Sequence, residues 1–183
     1  DYNSSTPVDP KVLEAMLPFL KDDFGNPSSQ GHPWGWAAEK AVSTARSQVA
    51  SLIGCDNKEV TFTSGATESN NWALFGLVHQ CMRQNSSDKI HIISSTVEHN
   101  SILNGLKYLN SLNVEVDFLE VNKEGLISLD ALKEKIKPHT KLISIMWVNN
   151  EIGSINDIVA IGNWARLKKI YFHTDGTQAV GKL

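Results

Sequence analysis

Four short polar strings in this sequence combine residue types that bind anions and move protons on a small ligand. Ser64-Gly65-Ala66-Thr67-Glu68-Ser69-Asn70 follows a β-branched stretch and opens a helical one. The start of a helix presents unpaired backbone N–H groups and a positive dipole end, so it suits an anion. Gly65 permits close backbone approach, and Thr67 adds a hydroxyl donor. The string reads as a phosphate cradle or as an ordinary cap, with Ser64 or Thr67 satisfying the first turn. It is not a Walker loop, because it has no G-K-[ST]. Glu98-His99-Asn100 follows the apolar run at 90–93. A histidine there can stack on a ring, move a proton or cap the next helix. Asn149-Asn150-Glu151 follows a nearly continuous apolar run, where buried polar groups must be satisfied by one another or by a ligand. His173-Thr174-Asp175-Gly176-Thr177-Gln178 places a carboxylate after a further apolar run. Asp175 can pair with a protonated ring nitrogen, and Gln178 can point back to the same place. A turn Asp beside Gly176 is the plain alternative.

These strings need elements to hold them, and the pattern supplies an alternation. A helix is predicted over 33–53, with Pro33 near its start and Gly54 just past its end. Val60-Thr61-Phe62-Thr63 reads as a short strand. The pattern continues as helix 66–84, strand 90–93, helix 99–112, strand 114–121, helix 128–137 capped by Ser128, strand 142–148, helix 157–169 and strand 170–173. A short helix lies around 10–20, followed by turn chemistry in Gly25-Asn26-Pro27-Ser28-Ser29. Asn85-Ser86-Ser87-Asp88 reads as a surface turn. Such alternation predicts an α/β fold, a mostly parallel sheet with helices on both faces. Ligands of open α/β sheets bind at the carboxyl ends of the strands. All four polar strings fall there. Together they describe a site for a flat, phosphorylated, nitrogen-containing ring.

The bulk properties are those of a globular domain. The 183 residues are 41% hydrophobic and 20% charged, with a net charge of -3. Nothing in this points to nucleic acid or to an acidic membrane surface. No apolar run is long enough to span a bilayer, and the start has no secretory leader pattern. Cys55 and Cys81 form neither a C-x-x-C pair nor a disulfide framework and read as structural, which fits a reducing, cytoplasmic compartment. No metal site is expected. A dinucleotide-binding dehydrogenase would need a G-x-G-x-x-G after the first strand, and none is present.

Taken in order, Asn26-Pro27-Ser28-Ser29, Thr63-Ser64-Gly65-Ala66-Thr67-Glu68-Ser69-Asn70-Asn71, Glu98-His99, Val148-Asn149-Asn150-Glu151-Ile152-Gly153 and His173-Thr174-Asp175-Gly176-Thr177-Gln178-Ala179-Val180-Gly181-Lys182 resemble the cysteine desulfurase / selenocysteine lyase group of class V, fold-type I pyridoxal-phosphate enzymes. The resemblance covers essentially the whole chain. It implies an aminotransferase-like large domain over 15–183, incomplete at its C-terminus, and an arm over 1–14 that packs with a small domain. It implies pyridoxal 5'-phosphate as cofactor, with Ala66 and Thr67 on the phosphate, His99 stacked on the ring and handling protons, and Asn150 beside the phenolic oxygen and the substrate. Asp175 would pair with the ring nitrogen and Gln178 would bond the phenolic oxygen. The implied reaction removes sulfur from L-cysteine, or selenium from L-selenocysteine, leaving alanine and an enzyme persulfide. The implied partners are a second copy in a homodimer and an iron–sulfur scaffold or other sulfur acceptor.

In the family, the cofactor lysine, the nucleophilic cysteine and the carboxylate-binding arginine follow the motif that holds Asp175. They are expected beyond Leu183, so the chain reads as a front half. Trp147 stands where His is common. The opening Asp1-Tyr2-Asn3-Ser4-Ser5-Thr6-Pro7 has Ser where Ala and Thr are common. A split or inactive paralogue acting as a binding partner is the competing reading. It gives no reason for Thr67, His99, Asp175 and Gln178 all to be present.

Overall fold

The computed structural model describes residues 2, 5–84 and 89–183, so Asp1, Asn3, Ser4 and the turn predicted at 85–88 lie outside the described residues. The chain divides into two compact units, Asp1–Phe62 and Thr63–Leu183.

In the first unit, helix α1 spans Pro10–Lys21 and helix α2 spans Pro33–Ile53. Each begins where local chemistry satisfies the orphan amides of a first turn. Asp9 Oδ1 accepts from the Lys11 amide at 2.8 Å, and His32 Nδ1 accepts from the Gly35 amide at 3.2 Å. Gly54 ends α2 in the left-handed region, at φ 70°. The turn predicted at 25–29 forms around Asn26, whose Oδ1 accepts from the Ser28 amide at 2.9 Å. The predicted strand at 60–63 does not form. Its β-branched residues supply propensity, but among the described residues no strand pairs with it. Instead, the Val60 carbonyl accepts from the Arg46 guanidinium, which lies 4.9 Å from the Phe62 ring centroid.

The second unit is the predicted α/β layer. Its strands are β1 (His91–Ser95), β2 (Glu115–Leu119), β3 (Thr140–Ser144) and β4 (Tyr171–His173), in the order β2-β1-β3-β4 with every pair parallel. Its helices are α3 (Ala66–Gln84), α4 (Asn100–Ser111), α5 (Leu129–Glu134) and α6 (Ile158–Leu167). Successive strand residues point to opposite faces. Ile92 and Leu142 therefore meet Leu74 and Val78 of α3 and Ile102 and Leu106 of α4. Ile93 and Ile143 meet Leu132 of α5 and Ile161 and Ala165 of α6 on the other face. Each such Ile or Leu, once fully buried, contributes roughly 1.5–3 kcal/mol.

Several boundaries differ from the sequence expectation for a physical reason. His99 is the N-cap of α4 rather than part of it, because its side chain accepts from the Ser101 amide. Helix α5 stops at Glu134, and the Lys137 amide then donates to Thr140 Oγ1 at 2.9 Å. The apolar run at 142–148 leaves the regular sheet after Ser144 yet stays in register with β4. The Ile145 amide donates to the His173 carbonyl at 3.1 Å, and the Trp147 amide to the Asp175 carbonyl at 3.0 Å. Val148 then bridges antiparallel to Ile155.

The register aligns the strand ends. Ser94 pairs with Ser144, and Ser144 with His173. The residues that follow, Glu98, Met146 and Asp175, therefore emerge along one edge of the sheet.

Candidate active site

The helix that opens this edge is α3. Ala66 is its first residue, and Thr67 follows. The Ser64 amide and hydroxyl both donate to Glu68 Oε2, each at 2.6 Å. These bonds hold the Glu68 carboxyl below its ordinary value, the hydroxyl first and the amide second. Ser64 therefore spends its hydroxyl proton on Glu68, and the Glu68 carboxylate reaches back to the Ser64 amide in the manner of a capping interaction. A Cβ built on Gly65 would meet nothing within 4 Å, so the approach to the helix start is open. The first-turn amides have no intrahelical acceptor, and Ala66 and Thr67 are both exposed.

One turn into α3, Asn70 is only 4% exposed. Its Nδ2 donates to Asp175 Oδ2 at 2.8 Å and to Ser101 Oγ at 2.9 Å. The other oxygen of Asp175 accepts from the Thr177 amide at 3.0 Å. Burial alone would raise the Asp175 pKa. The bonds from Thr177 and Asn70, with His173 nearby, outweigh it, and the carboxyl lies below its ordinary value. Asp175 is thus a buried carboxylate kept ionised by its surroundings.

His99 sits at the start of α4. Its Nδ1 accepts from the Ser101 amide at 3.1 Å and lies 2.9 Å from Ser101 Oγ. His99 and Asn150 line a common cleft of about 310 Å³ with Glu98, Asn149 and Glu151. Asn149 builds that cleft. Its Oδ1 accepts from the amides of Glu151 at 2.8 Å and Ile152 at 3.0 Å, while its Nδ2 donates to the Val97 carbonyl at 3.0 Å. These bonds tie the turn carrying Asn150 to the segment that follows β1. Gly125 lets a second loop approach the same turn. At φ +76°, a Cβ there would lie 2.3 Å from Ile152 Cδ1. Gln178 lies in the turn after Asp175, and its Oε1 accepts from Lys182 Nζ at 2.6 Å.

All six residues singled out in the sequence are thus in one unit. His99 and Asp175 are joined through Ser101 and Asn70, and Asn150 shares a cleft with His99. Ala66 and Thr67 start the helix that delivers Asn70, and Gln178 follows Asp175 in its turn. Cys55 and Cys81 are half-buried, and Cys81 packs against the core.

Sequence reasoning missed Asn70, Ser101 and the behaviour of Glu98. Asn70 was legible in part. It falls on the spacing of Leu74 and Val78, the other buried residues of α3, and so is the polar member of an apolar stripe. Glu98 is 5% exposed. Its Oε1 accepts from Ser95 Oγ at 2.7 Å and from the Met146 amide at 2.9 Å, but its Oε2 is buried without a partner. Burial, above all, pushes its pKa up to about 7, and the Asp175 charge adds to the rise. Thr174 Oγ1 is likewise buried without a partner. These two orphan polar atoms, on residues that follow β1 and β4, leave hydrogen-bonding capacity unmet at this edge.

Buried carboxylate, amide donors, ring-bearing histidine and an open helix start are donor sets for a phosphorylated nitrogen heterocycle. They fit pyridoxal 5'-phosphate. Among the described residues no cluster of His, Cys, Asp and Glu could hold a metal ion, and no helix is long and apolar enough to cross a membrane.

The profile of the aminotransferase class-V family matches residues 1–183. The mitochondrial cysteine desulfurase of Arthroderma benhamiae is 50% identical over the whole chain, which covers 36% of that protein. The cysteine desulfurase IscS of Rickettsia typhi is 45% identical, again over the whole chain and 44% of the relative. The chain thus spans less than half the length of these curated relatives. A solved structure described as SspA in complex with cysteine superimposes with a TM-score of 0.91 at 41% identity, covering 98% of this chain and 50% of that one.

Proposed function

The chain belongs to the aminotransferase class-V family, and from that premise we propose that the protein carrying it is a cysteine desulfurase. In this reading it takes sulfur from L-cysteine, releases L-alanine and leaves a persulfide for transfer. Curated relatives at 45–50% identity carry that name. Enzymes of this family use pyridoxal 5'-phosphate, whose protonated ring acts as an electron sink for the bonds broken in the substrate.

The observation that carries the proposal is Asp175. A carboxylate kept ionised in a buried, hydrogen-bonded setting can hold a proton on a ring nitrogen. Ala66 and Thr67, at the open start of α3, would bind the phosphate through backbone amides and the Thr67 hydroxyl. His99 would lie against the ring and hold or move a proton at Nε2, the nitrogen left over once Nδ1 accepts from Ser101. Asn150 and Gln178 would contribute side-chain amides to the phenolic oxygen, with Asn150 also facing the substrate in the cleft. Glu98 and Asn149 would exclude water behind them and fix the turn that carries Asn150.

The remaining assignments belong to the same proposal. The large cofactor domain would cover residues 15–183, with 1–14 as an arm toward a small domain. A homodimer would carry the activity and pass sulfur to an iron–sulfur scaffold or another acceptor. The compartment is taken as cytoplasmic, and the mitochondrial relative makes cell fractionation its test.

The deciding experiment is product analysis of the full-length protein with L-cysteine and, in parallel, L-selenocysteine. L-alanine and protein-bound persulfide from cysteine support the desulfurase. Alanine only from selenocysteine replaces it with a lyase. Alanine from neither, with no borohydride-trapped pyridoxyl peptide, refutes the enzyme reading.

A further inference from the structure

We propose that Asn70 and Ser101 are positioning residues. They form a directed hydrogen-bond relay that fixes the His99 ring in its Nε2–H tautomer and ties it to the Asp175 carboxylate. The proposal rests on the cofactor reading of the site and adds to it two residues that touch no ligand.

The direction of the relay follows from donor and acceptor chemistry. The Ser101 backbone amide is only a donor, and it points at His99 Nδ1 from 3.1 Å. Nδ1 therefore carries the lone pair, and a neutral ring bears its proton on Nε2. Ser101 Oγ lies 2.9 Å from the same Nδ1, so the hydroxyl donates there as well. That leaves Oγ free to accept, and Asn70 Nδ2 supplies a proton at 2.9 Å. The second proton of Nδ2 goes to Asp175 Oδ2 at 2.8 Å. An ionised carboxylate only accepts, so Asn70 must present its NH2, not its oxygen, to Asp175.

Every group in the chain is thus assigned, from the charge on Asp175 to the lone pair on His99. Asn70, Ser101 and Asp175 are 4%, 8% and 9% exposed. In such surroundings successive hydrogen bonds polarise one another. A change of charge at Asp175 therefore reaches His99 through Asn70 and Ser101. The two residues proposed to meet the cofactor ring, one at its nitrogen and one against its face, act as a unit.

The test is nitrogen NMR of the full-length protein as purified, with 15N in its histidine rings and His99 assigned by its loss in His99→Gln. The expected spectrum shows Nδ1 unprotonated and Nε2 protonated. Asp175→Asn should shift the His99 ring signals, and that shift should be lost in an Asn70→Ala background. Ser101→Ala should also abolish it, and Ser101→Thr, which restores the hydroxyl, should bring it back. Because Ser101 lies on a different helix from Asn70, its variants decide the question if Asn70→Ala does not fold. An Nδ1–H tautomer would overturn the relay. So would an Asp175→Asn shift that survives without Asn70 or without the Ser101 hydroxyl. The reading needs no bound cofactor. A protein that never binds pyridoxal phosphate but shows the coupling refutes the function and keeps the relay.

Discussion

The starting end of the sheet and its finishing end both gather histidines and carboxylates, and they treat them in opposite ways. At the starting end, Lys137 Nζ bridges Glu115 Oε1 at 3.0 Å and Asp117 Oδ2 at 2.5 Å, and His139 Nε2 meets Glu115 Oε2 at 2.6 Å. The fully buried His91 completes this network. Asp117 Oδ2, a carboxylate that only accepts, lies 3.2 Å from His91 Nε2, so that nitrogen carries the proton. In the neutral ring Nδ1 then accepts from the Thr140 hydroxyl at 2.7 Å, while Thr140 Oγ1 accepts from the Lys137 amide. The Glu115 carboxyl is pushed down to about 2, first by His139 and then by Lys137. At the finishing end, by contrast, Glu98 and Thr174 each keep a buried oxygen without a partner. One end has closed its polar groups on each other. The other has left donors, acceptors and a cleft open. Satisfied groups stabilise, and unsatisfied buried ones carry a desolvation cost.

Substitutions can break that contrast, and the largest effect is expected at Asp175. Asp175→Asn should lower kcat for alanine formation by about 10² to 10³-fold, the range for removing one preorganised electrostatic contact. Steady-state kinetics of the full-length protein checks it. Retained kcat would mean that the finishing end is as structural as the starting end.

Glu98 sharpens the contrast through pH. In the unfolded chain it ionises near its ordinary value of 4.5, and in the folded protein near about 7. Between these values the unfolded chain releases a proton that the folded chain keeps. Stability contributed by this group is therefore full below 4.5, falls as pH rises through the window and levels off above 7. The fall amounts to at most about 3 kcal/mol. Glu98→Gln should remove that slope, so its stability relative to the parent should rise from acid to neutral pH. Urea unfolding across the window measures it, and parallel curves for the two proteins would refute it.

At the starting end the effects should be on stability alone. His91→Ala leaves a cavity and unpaired partners, for a loss of roughly 2–4 kcal/mol. The kcat of the folded fraction should not change. The His91 pKa is lowered, chiefly by burial and then by Lys137. Its contribution is therefore present above the ordinary value of 6.5 and lost as pH falls toward its folded pKa. The smallest effect is expected for Lys137→Met. Its partners are partly exposed, so the loss should be smaller than that of His91→Ala and should shrink further with added salt. Thermal melts at two salt concentrations would show it.

Much of this was legible before the structure. The alternation of elements, the cap at Ser128 and the end of α2 at Gly54 are local, and each was read from residues within one turn of the feature. The stretch at 60–63 shows where local reading stops. Val60, Thr61 and Phe62 have strand propensity, but a strand exists only beside a partner, and propensity does not say whether one is near. The tail of the 142–148 run misled in the same way. Ile145, Met146 and Val148 are buried, as expected, yet beyond Ser144 they line the route into a hairpin rather than extend a regular strand.

The candidate site divides along the same line. The sequence by itself determined which residue types stand in the four polar strings: the helix start at Ala66, then His99, Asn150 and the Asp175 carboxylate. The strings follow from chemistry and spacing within single segments, and the choice of Ala66 and Asn150 within them from the family resemblance. Only the tertiary structure decided which of them meet. Asn70 reaches Asp175 across 105 residues and Ser101 across 31. Glu98 holds the Met146 amide across 48. Such contacts depend on α3 and α4 packing on one face of the sheet and on β3 lying between β1 and β4. Propensity acts over a few residues. Hydrogen-bond closure between distant segments is set by the packing of the core, and so is the burial that raises the Glu98 pKa and aligns His99 with Asp175.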